Sequence, residues 1–292
     1  MARPVVRPWQ PALSLKDMLH VVLAALLFAV TGDYERQIAE WRRNYEAKLK
    51  TPTGYLAIAG LWWLKTGEQA AGSDPTLAIV LPQRAPKQFG KFLFSGGKVT
   101  FTQAGGSPRV LRTDKATEGP EILRIDDMEL FVIQRNERFG LRLRDPQSAT
   151  RAQFQGTRWY APLPEWKIEA RFLPYPQPKI VLVNDVTGNK QKVEAPGVVE
   201  FMIAGRTCRL EPTIDEGELF FVFKDKSAGH GTYGAGRFLK SAMPSNGKVE
   251  LDFNKAYNPP CAFTPYATCP LPLKKNFLDV AIPAGEQVPP GH

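Results

Sequence analysis

Histidine is nearly missing from this chain. The 292 residues hold three, His20, His230 and His292, and only His230 lies away from the two ends. A metal site built from several histidines of one chain is therefore excluded, and a Ser–His–acid triad would have to use His230. No G-x-S-x-G turn is present to carry a nucleophilic serine. Cysteine is equally scarce. Cys208, Cys261 and Cys269 are too few for a disulfide scaffold, and no C-x-x-C spacing suggests zinc. Long apolar runs are lacking as well. The longest, residues 19–30 (LHVVLAALLFAV), is apolar but for His20 and falls short of the ~20 residues that span a bilayer. The net charge is +9, yet no five basic residues run together. That scatter argues against nucleic acid as a partner. No internal repeat or low-complexity tract is visible.

What is present is the composition of a globular protein: 43% apolar and 23% charged residues. Twenty-six prolines and 24 glycines predict many turns and few long helices. Residues 1–32 read as a signal segment. The apolar run would be its h-region and Val30-Thr31-Gly32 its small-residue cleavage site, which places the mature protein in the periplasm or outside the cell. The alternative is a buried helix in a cytoplasmic protein. No stable membrane span is expected after removal of the segment.

Residues 33–66 follow as an N-terminal helix and an apolar run. Asp33 is the expected N-cap. Tyr34, Ile38, Trp41, Tyr45 and Leu49 recur at steps of three and four, which is one stripe of a helix. Pro52 and Gly54 end it. In the run that follows, Trp62 and Trp63 would face opposite ways if the segment is a strand, one toward the core and the other toward a cleft or seam.

Residues 67–160 alternate in the manner of short strands, with Ser95-Gly96-Gly97 as a hairpin turn. The order Gly72-Ser73-Asp74, then Ile79-Val80-Leu81, then a hairpin is similar to that of a forkhead-associated sandwich. Its phosphate-reading Arg and Ser-x-x-His are missing, so the likeness concerns shape and not phosphopeptide binding. Residues 159–178, rich in aromatics and prolines, read as a joint to a second β unit over residues 161–292. In that unit Leu219-Phe220-Phe221-Val222-Phe223 is nearly continuous apolar sequence, expected of a central strand buried on both faces. The expected fold is mainly β: an N-terminal amphipathic helix followed by two packed units of sandwich or barrel type.

The most unusual stretch is residues 249–272, VELDFNKAYNPPCAFTPYATCPLP. Its prolines preclude a helix and a regular central strand. Long irregular segments inside compact domains are often functional. This stretch, with T-Y-G-A-G-R-F-L at residues 232–239, T-G-Y-L-A-I-A-G-L-W-W-L at 53–64 and I-P-A-G-E at 282–286, resembles the DUF1684 family, proteins of unknown function, over roughly residues 41–286. The resemblance implies a shared fold and pocket and brings with it no activity and no catalytic residues.

Within that stretch and beside it lie the candidate ligand-binding residues Arg237, Asp252, Asn254, Tyr257, Asn258 and Tyr266. On a strand, Asp252 and Asn254 would share a face, and Arg237 is the expected partner of a buried Asp252. Cys261 and Cys269 read as a disulfide or as inert buried thiols. The alternatives are two thiolates on a metal with His230 or Asp252, or one reactive thiol. His230, between glycines, reads as an exposed turn residue. The functional expectation is a non-catalytic extracytoplasmic binding or scaffold module with a small-molecule ligand, its cleft lying between residues 252–269 and 229–237. The alternative is a hydrolase or metal-assisted enzyme using Asp252, Cys261, Cys269 and His230. No catalytic residue, metal or cofactor is named by any motif.

Overall fold

The computed structural model describes residues 15–290, with side chains from residue 32 onward. Residues 1–14, Gly291 and His292 lie outside the described residues, as do the side chains of the expected h-region. Helix α1 runs Leu15–Leu49. Asp33 is thus not an N-cap but lies inside the helix, where its carboxylate meets Arg36 at 3.1 Å and Gln37 at 3.0 Å. The apolar stripe holds: Ile38 and Leu49 are buried, and Trp41 and Tyr45 stack on each other and meet Trp159 edge-on. No helix among the described residues is long and apolar enough to cross a membrane.

The body is mainly β, as expected. In the first half, β1 (Ile58–Trp63), β2 (Gly67–Gly72), β3 (Ile79–Val80), β4 (Gly90–Ser95), β5 (Lys98–Gln103), β6 (Arg109–Leu111), β7 (Leu123–Ile125), β8 (Met128–Arg135) and β9 (Arg138–Arg144) form two sheets. Their orders are β3-β2-β4-β5-β6 and β1-β9-β8-β7. One core lies between them, with Ala71, Phe92, Val99 and Phe101 from the first sheet and Leu130, Val132, Leu141 and Leu143 from the second. The strands reach it by alternation: in β4, Phe92 is buried while Lys91 and Leu93 are exposed. Trp62 packs against this core. Trp63, on the opposite face, lies under the Arg138 guanidinium at 4.0 Å.

The second half contains β10 (Lys167–Asn184), β11 (Lys190–Ile203), β12 (Arg206–Leu210), β13 (Thr213–Asp215), β14 (Glu218–Phe223), β15 (Arg237–Ser241) and β16 (Lys248–Asp252). Its sheets are β12-β11-β10-β16 and β13-β14-β15. Ala170, Val199, Phe201, Leu251 and Phe253 meet Leu219, Phe221, Phe223 and Leu239 in a second core.

One expectation is corrected here. Most of the supposed joint at residues 159–178 is the first half of strand β10. Its prolines are accommodated because pairing with β11 breaks between Pro174 and Lys179, and β16 pairs only with residues 167–171. A residue without an N–H is tolerated where no ladder bond is required. The 249–272 stretch, in turn, opens with an edge strand, β16, before the chain becomes irregular.

The two halves meet through that irregular segment. Thr264 Oγ1 donates to the Ile58 carbonyl at 2.9 Å. Arg138 Nη1 donates to the Thr187 carbonyl and to Asn189 Oδ1, both at 3.2 Å.

Candidate functional site

The C-terminal segment is built from hydrogen bonds rather than from regular structure. Asp252 ends β16, and Asn254 sits in the single 3-10 turn Phe253–Lys255. They meet through that turn, not across a strand face. The Asp252 carboxylate accepts from the Asn254 N–H at 3.2 Å and from the Tyr34 hydroxyl of α1 at 2.9 Å, and Lys255 lies 3.5 Å from its other oxygen. Asn254 is fully buried. Its amide donates to the Leu163 carbonyl at 2.8 Å and to the Tyr34 hydroxyl at 2.7 Å, and accepts from the Leu163 N–H at 3.0 Å. These side chains therefore satisfy backbone groups that an irregular buried segment would otherwise leave unpaired.

Arg237 does not pair with Asp252. It is buried within the second core, where Nη2 meets Asp225 Oδ2 at 2.8 Å and the Ile282 carbonyl at 2.9 Å, and Nη1 donates to the Ala284 carbonyl. Its guanidinium stands 5.2 Å from the Phe223 ring centre. The missed partner, Asp225, lies just after β14 in a charged stretch, Lys224-Asp225-Lys226, that reads as solvated in sequence.

Asn258 receives its support from the I-P-A-G-E segment. Its N–H donates to Glu286 Oε2 at 2.7 Å and its side-chain amide to the Gln287 carbonyl at 2.8 Å, while its Oδ1 is buried without a donor. Gly285 makes this arrangement feasible. Its φ is +78°, and a β-carbon there would lie 2.5 Å from the Ala256 carbonyl oxygen. Burial lifts the Glu286 carboxyl to about 7, against the pull of the Asn258 N–H, the Tyr45 hydroxyl, the Asn258 side chain and the Arg237 charge.

Tyr257 packs between Tyr45 and Phe238. Tyr266 is exposed and offers its carbonyl to Arg142 at 3.4 Å. His230 is exposed in a turn closed by its own N–H to the Ser227 carbonyl. The six candidates thus do not converge on one pocket. Most of them hold the segment in shape.

Cys208, Cys261 and Cys269 are free thiols. Cys261 and Cys269 are nonetheless adjacent, with the Cys261 N–H donating to Cys269 Sγ at 3.1 Å. The Cys269 thiol donates toward Cys261 and holds it below the ordinary thiol range, with a further contribution from the Tyr233 hydroxyl 4.0 Å away. Cys269 is raised by the same hydrogen bond and by burial. Among the described residues no three His, Cys, Asp or Glu side chains group closely enough to hold a metal ion.

A cavity of about 400 Å³ opens where the segment faces both halves of the molecule. Ala267, Thr268, Cys269 and Pro270 form one wall, and Phe220, Val222 and Phe238 another. The apolar run of β14 is explained by this: Leu219, Phe221 and Phe223 enter the second core, while Phe220 and Val222 line the cavity. The first half adds Lys115, Arg135 and Arg142, and the second half also adds Gln191, Glu211 and Asp215. The expected opposite wall, residues 229–237, does not take part.

Arg135 and Arg142 share one acceptor. Arg135 Nε and Arg142 Nη2 each donate to Thr268 Oγ1 at 3.1 Å. Arg135 is also balanced by Asp114 at 2.6 Å. Burial, together with the neighbouring Arg135 charge, lowers Arg142 to about 10. Its Nε is buried without an acceptor. Sequence reading missed this site because Arg135 and Arg142 resemble the wet-face residues of ordinary alternating strands.

A second, wider depression of about 1020 Å³ lies beside α1, lined among others by Trp41, Tyr45, Tyr257 and Lys240. Lys240 there is already paired with Asp215 at 2.8 Å and Glu216 at 2.9 Å. Its charge is spent within the protein.

Residues 152–287 match the model of a family described as a protein of unknown function, DUF1684. Over these residues the chain is similar to that family. The DUF1684 region spans β10 to β16 and the whole C-terminal segment, and the T-G-Y-L-A-I-A-G-L-W-W-L stretch lies before it. The cavity is therefore composite: the DUF1684 region supplies Thr268, Cys269 and the apolar wall, and the preceding half supplies the cations. An uncharacterised protein of Haloarcula marismortui, solved in solution by NMR, is 29% identical over 49% of this chain and 81% of its own, with a TM-score of 0.41. No curated protein matches the chain.

Proposed function

We propose that this protein is a binding module for a small molecule, with its cleft in the cavity between the two β halves. The observation that carries the reading is a pocket of about 400 Å³ walled by the same proline- and cysteine-containing segment that buried Asn254, Asn258 and Thr264 hold in shape. Its size and mix of apolar walls with a few polar groups are those of ligand pockets in general. The module acts outside the cytoplasm, a reading supported by the apolar run at residues 19–30. In that compartment the adjacent Cys261 and Cys269 would exchange with an oxidising disulfide, which is reduced to two thiols as theirs becomes the disulfide that fixes the cavity wall.

The test is a thermal-shift screen of the full chain against uncharged and charged small molecules, run beside Ile214→Trp. Ile214 is 48% exposed and lines the cavity, so a larger side chain there fills the pocket without disturbing a core. Compounds that raise the melting temperature of the parent but not of the variant support the reading. If no compound distinguishes the two proteins, the cavity is not a ligand site.

A further inference from the structure

We infer that the ligand carries an oxyanion, a carboxylate or phosphate group, held in the cavity by Arg142, Thr268 and Lys115. This deepens the binding reading above and rests on it.

The charges around the cavity do not balance internally. Of its acids, Glu211 is paired with Lys275 and accepts from Tyr175 at 2.5 Å, and Asp215 is paired with Lys240 at 2.8 Å. Of its cations, Arg135 has Asp114. Arg142 meets only two neutral oxygens, Thr268 Oγ1 at 3.1 Å and the Tyr266 carbonyl at 3.4 Å. Lys115 is exposed at the cavity and forms no ion pair among the described residues. A partly buried guanidinium ordinarily has an acid beside it. Asp114 is near enough to act on Arg142 but is paired with Arg135 at 2.6 Å, and the Cys269 thiol, also near, is raised by Cys261 and by burial.

Thr268 adds a directional argument. A hydroxyl has two acceptor positions and one proton. Both acceptor positions are taken by the two guanidinium groups. The proton is left to donate, and no acceptor within the protein receives it among the described residues. A guanidinium, a hydroxyl proton and an ammonium thus border one cavity whose acids, Glu211 and Asp215, are already paired with lysines. An oxyanion supplies the acceptors that this set lacks, and the planar guanidinium suits carboxylate and phosphate oxygens.

The experiment is isothermal titration of the full chain with inorganic phosphate, sulfate and succinate at constant ionic strength. The expected result is saturable binding, weakened about tenfold or more by Arg142→Met, as loss of one charge-assisted contact implies. Thr268→Val, which keeps the side-chain shape, should also weaken it and serves if Arg142→Met fails to fold. Preference for phosphate or for succinate tells which oxyanion the site favours. Undiminished binding by both variants would overturn the inference. So would silence toward all three anions. If uncharged compounds still separate the parent from Ile214→Trp, the binding function survives without an anionic ligand; if nothing binds, both readings fall.

Discussion

Replacing Glu286 with Gln should change how stability depends on pH. Glu286 is 1% exposed and is held by the Gly285 turn against Asn258. Its carboxyl is raised from 4.5 to about 7. The unfolded chain therefore loses this proton near 4.5, while the folded chain keeps it until about 7. The stability this group confers is complete below 4.5 and is lost as pH rises to and through 7. A gap of about 2.5 pH units at about 1.4 kcal/mol per unit amounts to about 3 kcal/mol. There is a local reason for the folded state to prefer the acid. Burial disfavours the carboxylate by more than the hydrogen bonds of Asn258 and Tyr45 and the Arg237 charge favour it. Gln cannot ionise, and its carbonyl can still accept the Asn258 N–H. Chemical denaturation of parent and Glu286→Gln from pH 4.5 to 8.5 separates this group from all others, which cancel in the difference. The variant should gain about 3 kcal/mol relative to the parent across that interval. Parallel pH profiles, or a variant that loses ground as pH rises, would refute the reasoning.

Other substitutions separate shape-holding from binding. Asp225→Asn strands the buried Arg237 charge and should cost about 3–5 kcal/mol in urea denaturation, whereas Asp252→Asn, which leaves that pair intact, should cost about 1 kcal/mol through the Tyr34 hydrogen bond; equal costs would contradict the assigned partners. Asn254→Ala leaves both backbone groups of Leu163 without their partner and should cost about 2 kcal/mol, read by the same method. After reduction, Cys261 should be alkylated before Cys269 and Cys208, with a rate that rises at lower pH than an ordinary thiol. Cys269→Ala should slow that reaction at neutral pH, because it removes the donor that favours the Cys261 thiolate; peptide mass mapping reads both.

Much of the architecture could be read from alternation and punctuation. Ser95-Gly96-Gly97 does turn between β4 and β5, and the 34–49 stripe does bury its apolar side. The reading failed where tertiary context overrides local signal. Prolines at 174, 176 and 178 suggest a joint, yet they occupy a stretch of β10 where no ladder bond is needed. Asp33 has the chemistry of a cap, but α1 begins earlier. The site was half legible. The proline- and cysteine-containing segment announced itself by composition, and it does wall the cavity. Its most polar residues turned out to be internal supports, because a buried irregular backbone consumes the hydrogen bonds of Asp252, Asn254 and Asn258. The cations opposite come from strands more than 100 residues earlier, where nothing local sets Arg142 apart from Arg138 or Arg144. Only the fold shows that it makes no ion pair among the described residues, the nearby Asp114 being taken by Arg135.

The most direct test is an amide NMR titration of the full chain with inorganic phosphate. The account predicts saturable shifts concentrated at Arg142, at residues 267–270 and at the β13–β14 residues lining the cavity. Saturable shifts confined to other surfaces, or none at all at these residues, would contradict it.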